Sequence, residues 1–255
     1  MKLDFKGKTV LITGATSGIG RACASLFSEY GANISMTGRN IDELKITSEK
    51  ISSDNTISLN GNIRDEDFRK TLVDKTVEKF GSIDVLVNSA GIIASGTIEN
   101  TSMKDFDDMM DLNVRSVFSL IQLSLPFLEK NQGNIINVSS ITGLRAFPGV
   151  FAYCISKSAV DQLTRVAALE LAEKKIRVNA VNPGVVETNL HKRSGMDNEK
   201  YDQFKFHSQS THPLGRIGQP EEVAALIAFL ASAEAGWITG GTFSIDGGRQ
   251  LTCAR

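Results

Sequence analysis

The sequence predicts an α/β fold in which a doubly wound, mostly parallel sheet of seven strands carries helices on both faces. Short apolar runs alternate along the chain with longer stretches of helical period. The runs are apolar at successive positions, which is typical of strands that are buried on both faces of a parallel sheet. No proline-rich or charged linker interrupts the 255 residues, so we expect a single domain spanning 1–255.

The predicted elements alternate regularly except in one stretch. The strands are Thr9–Thr13, Asn33–Thr37, Thr56–Asn60, Ile83–Asn88, Asn134–Ser139, Arg177–Asn182 and Thr242–Ile245. The helices are Ile19–Tyr30, Asp42–Ser52, Glu66–Phe80, Lys104–Lys130, Ala152–Glu173 and Pro220–Ala231. The stretch 187–215 is polar and irregular, with a weak helical pattern between Asn198 and Ser208. Such a long insertion is typical of a lid, and we expect it to cover a substrate.

The net charge and the number of cysteines indicate which partners this protein binds and in which compartment it works. The formal net charge is −1, so no basic field exists to hold nucleic acid or an anionic membrane. No apolar run approaches the ~18 residues that a membrane span needs. The three cysteines are an odd number in a long chain, which favours free thiols in a reducing compartment. Because the N-terminus carries no signal-peptide pattern, we expect a cytoplasmic protein.

A glycine-rich segment lies where the first strand turns into the first helix. It reads Thr-Gly-Ala-Thr-Ser-Gly-Ile-Gly over 13–20. Glycines here let the backbone approach a pyrophosphate, and the helix N-terminus offers N–H donors and a positive dipole end. A glycine-rich turn without a ligand is the alternative, and the preceding strand disfavours it. The candidate phosphate-binding residues are Gly14, Thr16, Ser17, Gly18, Ile19 and Gly20.

A tyrosine and a lysine are placed four residues apart in a predicted helix. Tyr153 and Lys157 therefore share one helix face. A phenol with a pKa near ~10 transfers protons poorly at neutral pH, and a nearby ammonium group favours the phenolate. Such a pair taken alone could equally be a solvated helix face.

The spacing of the glycines at 14, 18 and 20 resembles that of the phosphate-binding turn in the short-chain dehydrogenase/reductase family. Within that family it resembles the compact single-domain branch, which has a Rossmann fold. Other motifs of that family stand at matching places, so that the resemblance covers nearly the whole chain. They are Asn88-Ser89-Ala90-Gly91, Leu112-Asn113-Val114, Ser139-Ser140, Tyr153 to Lys157, Asn182 to Thr188, Pro213 to Arg216, and Ile245 to Gly248. The chain as a whole is most similar to enzymes described as 3-oxoacyl-carrier-protein reductases.

The resemblance implies a catalytic role for four residues. Tyr153 gives or takes the hydroxyl proton, and Ser140 polarises the substrate oxygen. Lys157 lowers the pKa of the tyrosine and holds the ribose of the cofactor. Asn113 breaks its helix locally and holds a water that relays protons from the lysine. Ser139 is interpreted as a structural hydroxyl at the strand end.

The resemblance also implies the rest of the dinucleotide site. Beyond the phosphate-binding turn, the implied cofactor-binding residues are Arg39, Asn62, Ile63, Asn88, Ala90, Gly91, Tyr153, Lys157, Pro183, Gly184, Val186 and Thr188. Two positions depart from the family pattern, since Ser89 replaces a usual asparagine and Asn62 a usual aspartate. An asparagine at that place still accepts a hydrogen bond but brings an NH₂ group that must find a partner.

The end of the second strand favours NADP(H) over NAD(H). Enzymes specific for NAD carry an acidic residue there that binds the adenosine ribose. This chain has Gly38 followed by Arg39, which leaves room for a 2′-phosphate and supplies a guanidinium that matches it. Against this, Ser17 stands where some NADP-dependent relatives carry a basic residue. NAD(H) therefore remains the alternative.

The function implied is reduction of a carbonyl, of 3-oxoacyl type, by NADPH. An NAD-dependent alcohol or hydroxysteroid-type dehydrogenase and a non-catalytic dinucleotide-binding regulator are the alternatives. An epimerase or dehydratase of the extended branch would carry a larger C-terminal domain, and an enoyl reductase would space its tyrosine and lysine more widely than four. The candidate substrate residues are Ser140, Thr142, Arg145, Phe147 and Leu190.

Assembly and metal binding complete the expectations. The resemblance implies that the helices carrying Asn113 and Tyr153 pack against symmetry mates, which favours a homotetramer and leaves a dimer open. The histidines, His191, His207 and His212, lie in or beside the predicted lid. Their spacing does not fit a zinc site, so we expect solvated side chains and no metal.

Overall fold

One seven-stranded sheet forms the centre of the computed structural model, which describes residues 3–51, 54–190, 195 and 197–252. The strand order is β3-β2-β1-β4-β5-β6-β7, and every neighbouring pair is parallel. This is the doubly wound order of a Rossmann fold, so the predicted fold class is confirmed. The strands are β1 (Thr9–Thr13), β2 (Asn33–Gly38), β3 (Thr56–Asn60), β4 (Val85–Asn88), β5 (Asn134–Val138), β6 (Arg177–Pro183) and β7 (Thr242–Ile245).

Helices cover both faces of this sheet. They are α1 (Gly18–Glu29), α2 (Ile41–Glu49), α3 (Glu66–Phe80), α4 (Met103–Met110), α5 (Ser116–Asn131), α6 (Ile141–Leu144), α7 (Phe151–Glu170), α8 (Asn198–Thr211) and α9 (Pro220–Ala231). Helices α1, α2 and α9 pack on one face, and α3, α5 and α7 on the other. Within the described part of the chain, no helix is long and apolar enough to cross a membrane.

The strand pleat divides the apolar side chains between two cores. In β1, Val10 and Ile12 belong to the core beneath α1 and α9, whereas Leu11 belongs to the core beneath α3, α5 and α7. All five residues of β1 are buried, as predicted for a strand covered on both faces. With both faces closed, a ligand can reach the sheet only at an edge formed by strand ends.

Two predicted elements differ from the structure in an informative way. The single helix predicted over Lys104–Lys130 is interrupted by a π-helical turn at Asp111–Arg115 between α4 and α5. The strand predicted from Ile83 begins at Val85. Just before it, the Asp84 carboxylate accepts hydrogen bonds from Lys8 Nζ at 3.0 Å and Thr9 N at 2.9 Å. The weak helical pattern in the predicted lid is a regular helix, α8.

The strand order reverses between β1 and β4, which opens a crevice at their carboxyl ends. A short polar clamp holds the two strand ends together there. The Thr13 hydroxyl accepts hydrogen bonds from the backbone N–H groups of Ser89 at 3.1 Å and Ala90 at 3.0 Å. The glycine-rich turn after β1 therefore lies directly beside the loop after β4.

Candidate active site

A cavity of about 390 Å³ lies at this crevice, and the segments that follow β1 through β6 line it. Most residues predicted for the site meet on its wall. These are Gly14, Thr16, Ser17, Gly18, Ile19, Arg39, Ile63, Ala90, Gly91, Ser140, Thr142, Phe147, Tyr153, Lys157, Pro183, Gly184, Val186, Thr188 and Leu190. Helix α8 adds Phe204, His207, Ser208 and Thr211.

Three residues predicted to bind the cofactor do not line the cavity. A Cβ at Gly20 would lie 2.5 Å from the Gly14 carbonyl oxygen, so this glycine serves the packing of α1 against the turn. Asn62 Oδ1 accepts from Arg64 N at 3.2 Å within the turn after β3. Asn88 Nδ2 donates to Asn137 Oδ1 at 2.9 Å and so joins β4 to β5. The last two side chains are occupied by local partners, which sequence spacing does not reveal.

Arg145 is also displaced from its predicted role. Its guanidinium donates to the carbonyl oxygens of Gln250, at 3.0 Å, and Thr252. Arg145 does not line the cavity, whereas Arg249 does. The assignment of Arg145 to the substrate wall is therefore wrong, because the fold brings the C-terminal turn against its side chain.

The glycine-rich turn fits a pyrophosphate. Ser17 precedes α1 in an extended conformation and makes no side-chain cap, so the first N–H groups of the helix remain available for a ligand. Gly14 has a φ of +72°, and a Cβ there would lie 2.9 Å from the Ala90 Cα atom. Only glycine permits this conformation together with such a close approach.

Arg21, which the sequence analysis overlooked, braces this turn from behind. Its guanidinium donates to the Thr16 carbonyl oxygen, to Thr47 Oγ1 at 2.9 Å, and to the Glu43 carboxylate. Thr47 Oγ1 in turn donates to the Ala15 carbonyl at 2.9 Å. Helix α2 thereby fixes the turn through side chains that a motif search around the glycines does not include.

The predicted catalytic residues meet at the N-terminal half of α7. Tyr153 and Lys157 lie one turn apart and are both buried. Ser140 precedes α6, and its side chain lies near enough to the Tyr153 phenol to lower the pKa of that phenol. Lys157 Nζ donates to the Val138 carbonyl at 2.8 Å and lies 5.6 Å from the centre of the tyrosine ring. The serine, the phenol and the ammonium group thus face the same part of the cavity.

Burial shifts the pKa values of Tyr153 and Lys157 in opposite directions. Desolvation raises the pKa of Tyr153 to about 12, and the neighbouring Ser140 side chain opposes this increase. Desolvation lowers the pKa of Lys157 to about 8, against the attraction of Asp161. Without a bound cofactor, the cost of burying a phenolate outweighs the effects that lower this pKa. The lowering of the tyrosine pKa by Lys157 in the cofactor-bound enzyme stays a prediction. The phenol is therefore protonated at neutral pH and can act as a proton donor.

Asp161 lies one further turn along the same face of α7 and was not predicted. Asn182 Nδ2 donates to its two carboxylate oxygens at 3.1 and 3.0 Å, and Ser139 is hydrogen-bonded to it as well. Burial raises the pKa of Asp161. This carboxyl group stands behind Lys157, and its spacing of four residues from that lysine was the available sequence signal.

The predicted break of the helix at Asn113 is confirmed. Asn113 lies in the π-helical turn and is buried. Its Oδ1 accepts from Ile92 N at 3.0 Å, while its Nδ2 donates to the Ile92 carbonyl and to Ser156 Oγ, each at 3.0 Å. The side chain therefore ties the loop after β4 to the catalytic helix.

His212 is buried, which corrects the expectation of a solvated side chain. Its Nδ1 lies 2.6 Å from the Ser208 carbonyl oxygen, and its Nε2 accepts from Val185 N at 3.2 Å. A carbonyl can only accept, so the proton is assigned to Nδ1. His212 thus couples the end of α8 to the loop after β6. His207 is exposed and lines the cavity, and His191 lies outside the described residues.

Comparison with known proteins identifies the family. A family model described as enoyl-(acyl carrier protein) reductase matches residues 14–250. A solved structure of a short-chain dehydrogenase/reductase of unknown function from Caenorhabditis elegans, with cofactor, is 36% identical with a TM-score of 0.94, covering 98% of this chain and 97% of that one. The chain belongs to the short-chain dehydrogenase/reductase family.

Other members of the family match over similar lengths. A 3-oxoacyl-[acyl-carrier-protein] reductase FabG from Thermotoga maritima is 40% identical, covering 96% of this chain and 99% of the relative. The FabG of Staphylococcus aureus is 36% identical over 96% of this chain and 98% of its own length. A Brucella melitensis structure described as a glucose/ribitol dehydrogenase has a TM-score of 0.91 at 32% identity, with full coverage of both chains. This protein is thus an oxidoreductase of carbonyl and hydroxyl groups with an NAD(P)-type cofactor.

Replacing His212 tests its role as a positioning residue in this short-chain dehydrogenase. His212→Leu leaves the part-buried Val185 N–H without an acceptor, and we expect the KM for the dinucleotide to rise about tenfold or more. His212→Gln can accept from Val185 and donate to Ser208, so it should restore most of the affinity. Steady-state kinetics with the dinucleotide as varied substrate measures both. Equal KM values for the leucine and glutamine variants would contradict this role.

The pH profile follows from the two shifted groups. Lys157 carries its charge below about pH 8, and that charge stabilises the phenolate left after Tyr153 gives up its proton. We therefore expect the rate of carbonyl reduction to be level at neutral pH and to fall as the pH rises through about 8. The residual activity of Lys157→Met should lack this inflection. Initial rates across the pH range measure the profile, and an inflection retained in the variant would exclude Lys157 as its source.

Proposed function

We propose that this protein is an NADPH-dependent carbonyl reductase of 3-oxoacyl type. The observation that carries the proposal is that Ser140, Tyr153 and Lys157 lie together on the wall of a cavity that begins at the pyrophosphate-binding turn. The FabG relatives at 40% and 36% identity support reduction of a 3-oxoacyl group. The protein acts as a single domain with its substrate lid in 187–215, of which 191–194 and 196 lie outside the described residues. The support for a lid is that α8 contributes to the cavity wall.

The side chains around the carbonyl each perform one task. Tyr153 donates its phenolic proton to the substrate oxygen, which its neutral state at physiological pH permits. Ser140 donates a hydrogen bond to the same oxygen as negative charge develops there. The ammonium group of Lys157 stabilises the resulting phenolate. The nicotinamide, when bound, supplies the hydride for reduction and accepts it in the reverse direction.

Residues along the cavity hold the dinucleotide. The N-terminus of α1 and the turn before it bind the pyrophosphate. Lys157 uses one donor on the Val138 carbonyl and retains others for the ribose hydroxyls. Val186 and Thr188 follow β6 and hold the carboxamide, on a loop that His212 fixes through Val185. Much of the acceleration then comes from holding the two reactants together.

The end of β2 favours the phosphorylated cofactor. A Cβ at Gly38 would collide with the Thr16 side chain, so an acidic side chain that binds the ribose of NAD would require Thr16 to move. The neighbouring Arg39 is exposed on the cavity wall, and within the described chain it forms no ion pair. A guanidinium in this state matches the dianionic 2′-phosphate of NADPH.

Three alternatives to carbonyl reduction are compared with the site. The matching family model is described as an enoyl reductase, but the spacing of four residues between Tyr153 and Lys157 is that of carbonyl-reducing members. A non-catalytic dinucleotide-binding protein would not need the buried Ser140–Tyr153 pair. Oxidation of an alcohol uses the same residues in reverse, with the phenolate as the base.

We also propose that the protein assembles as a homotetramer. The apolar stripe through Val117, Leu120, Ile121 and Leu128 is used by the core of the single chain. Other apolar side chains of the same two helices remain exposed, namely Phe118 of α5 and Val166 and Leu169 of α7. Burial of these side chains between copies of the chain would supply the driving force for assembly.

Removal of the phenolic hydroxyl tests the catalytic assignment. Tyr153→Phe should lower kcat about 100- to 10,000-fold, because general-acid catalysis is lost, while dinucleotide binding is retained. Tyr30→Phe, in the turn after α1, is the matched control. NADPH oxidation is followed with 3-oxoacyl thioesters, diketones, quinones and steroid ketones, and with an enoyl thioester. Turnover of the enoyl thioester alone would contradict carbonyl reduction, and full activity of Tyr153→Phe would exclude Tyr153 as the acid.

Replacing Arg39 tests the cofactor preference. In Arg39→Gln the charged hydrogen bonds to the 2′-phosphate are lost, so the ratio of kcat/KM for NADPH to that for NADH should fall about 10- to 100-fold. Lys45→Gln removes an exposed charge from α2 that does not line the cavity and should leave the ratio unchanged. A wild-type enzyme that prefers NADH would overturn the assignment.

A further inference from the structure

The charges on the cavity wall are all of one sign. Among the described lining residues, Arg39, Lys157 and Arg249 are basic and none is acidic. Arg39 stands at the adenosine end, and Lys157 belongs to the catalytic group. Arg249 is the remaining cation, and neither the dinucleotide nor the proton transfer accounts for it.

Arg249 is held in place by a rigid C-terminal turn. It begins the short 3₁₀-helix Arg249–Leu251 after β7. The buried Asp246 carboxylate accepts from Gly248 N at 3.0 Å and from Gln250 N at 2.7 Å. Arg145 donates to the carbonyls on the far side of the turn. The backbone that carries Arg249 is therefore fixed from both sides before any ligand binds.

The guanidinium of Arg249 lies at the substrate end of the cavity. Its central carbon is 5.4 Å from the centre of the Phe147 ring, which also lines the cavity. The Phe147 carbonyl is contacted by Cys154 Sγ at 3.7 Å, and Cys154 is adjacent to the catalytic tyrosine in α7. Phe147 thus connects the first turn of the catalytic helix to Arg249.

This guanidinium has donors to spare and, within the described residues, no counter-ion. One nitrogen donates to Thr252 Oγ1 at 3.0 Å, whereas arginine has five N–H donors in all. No acidic side chain of the described chain lies within ion-pair distance of Arg249. The residue is half-buried, so part of its hydration is already lost. Such a cation is well suited to bind an anionic oxygen group in a bidentate manner.

We propose that Arg249 binds an anionic oxygen group of the carbonyl substrate and so selects acidic carbonyl compounds. The group is a carboxylate or a phosphate, and the substrate also carries an apolar part. The apolar part packs on Ile141, Phe147, Val150, Leu190 and Phe204, which line the same cavity. This inference rests on the proposed carbonyl reduction and adds the substrate class to it.

Matched pairs of charged and neutral substrates test the inference. One pair is a medium-chain oxo acid and its methyl ester, and the other is a 3-oxoacyl coenzyme A and the corresponding N-acetylcysteamine thioester. The wild-type enzyme should prefer the charged member of at least one pair. In Arg249→Gln the ratio of kcat/KM for the charged to the neutral member should fall about 10- to 100-fold. Arg249→Lys keeps the positive charge but loses the two parallel N–H donors of the guanidinium, so it should give an intermediate ratio.

Lys130→Gln is the matched control, since Lys130 is exposed at the end of α5 and does not line the cavity. Its ratio should equal that of the wild type. The first pair reports a carboxylate and the second a phosphate, so the affected pair identifies the group. A wild-type enzyme that uses both members of each pair equally would overturn the inference. An Arg249→Gln variant that loses the same factor on charged and neutral members would do so as well.

A binding measurement separates this inference from the proposed function. The enzyme saturated with NADP⁺ cannot reduce an oxo acid, so calorimetric titration of this complex with the acid and with its ester reports binding alone. Tighter binding of the acid than of the ester, lost in Arg249→Gln, supports the inference even if no substrate is turned over. Absence of turnover would then count against carbonyl reduction only. Equal affinity for acid and ester, together with equal affinity for the two thioesters, would overturn the role of Arg249.

Discussion

The site depends on the close approach of two chain segments where the strand order reverses. The Thr13 hydroxyl accepts hydrogen bonds from two backbone N–H groups of the loop after β4. Gly14 admits that loop because a Cβ there would meet Ala90 at 2.9 Å. The direction of α1, the open N–H groups at its start and the crevice between β1 and β4 all follow from this contact. A bulkier side chain at Gly14 would move the phosphate-binding turn and the cavity wall together.

Burial of one face of α7 sets the protonation states of the group that transfers the proton and of the group that stabilises the resulting phenolate. A phenol and an ammonium group removed from water both favour their neutral forms, which raises the pKa of Tyr153 and lowers that of Lys157. The tyrosine is therefore a donor that releases its proton only when the carbonyl oxygen can take it. Asp161 and Ser139 behind the lysine limit the cost of keeping a cation in this environment.

Contacts within the last third of the chain, and between it and Arg145, position the loop after β6 and Arg249. His212 joins α8 to the loop after β6, and Arg145 secures the turn that presents Arg249. These contacts join residues that are distant in sequence, so spacing rules do not reveal them. By contrast, the alternation of apolar runs and helical stretches predicts most of the helices in the described residues, since local periodicity reflects which faces are buried. The lid helix and the π-helical turn at Asn113 gave weaker signals.

The sequence by itself determined the parallel sheet, the phosphate-binding turn and the placement of Tyr153 and Lys157 on one helix face. Each of these follows from residue types at short, regular separations. Only the tertiary structure decided that Arg249 rather than Arg145 faces the cavity, that Asn62 turns to Arg64, and that the tyrosine pKa rises. These outcomes depend on which distant groups surround a side chain and on how much water they exclude, and a local pattern contains neither quantity.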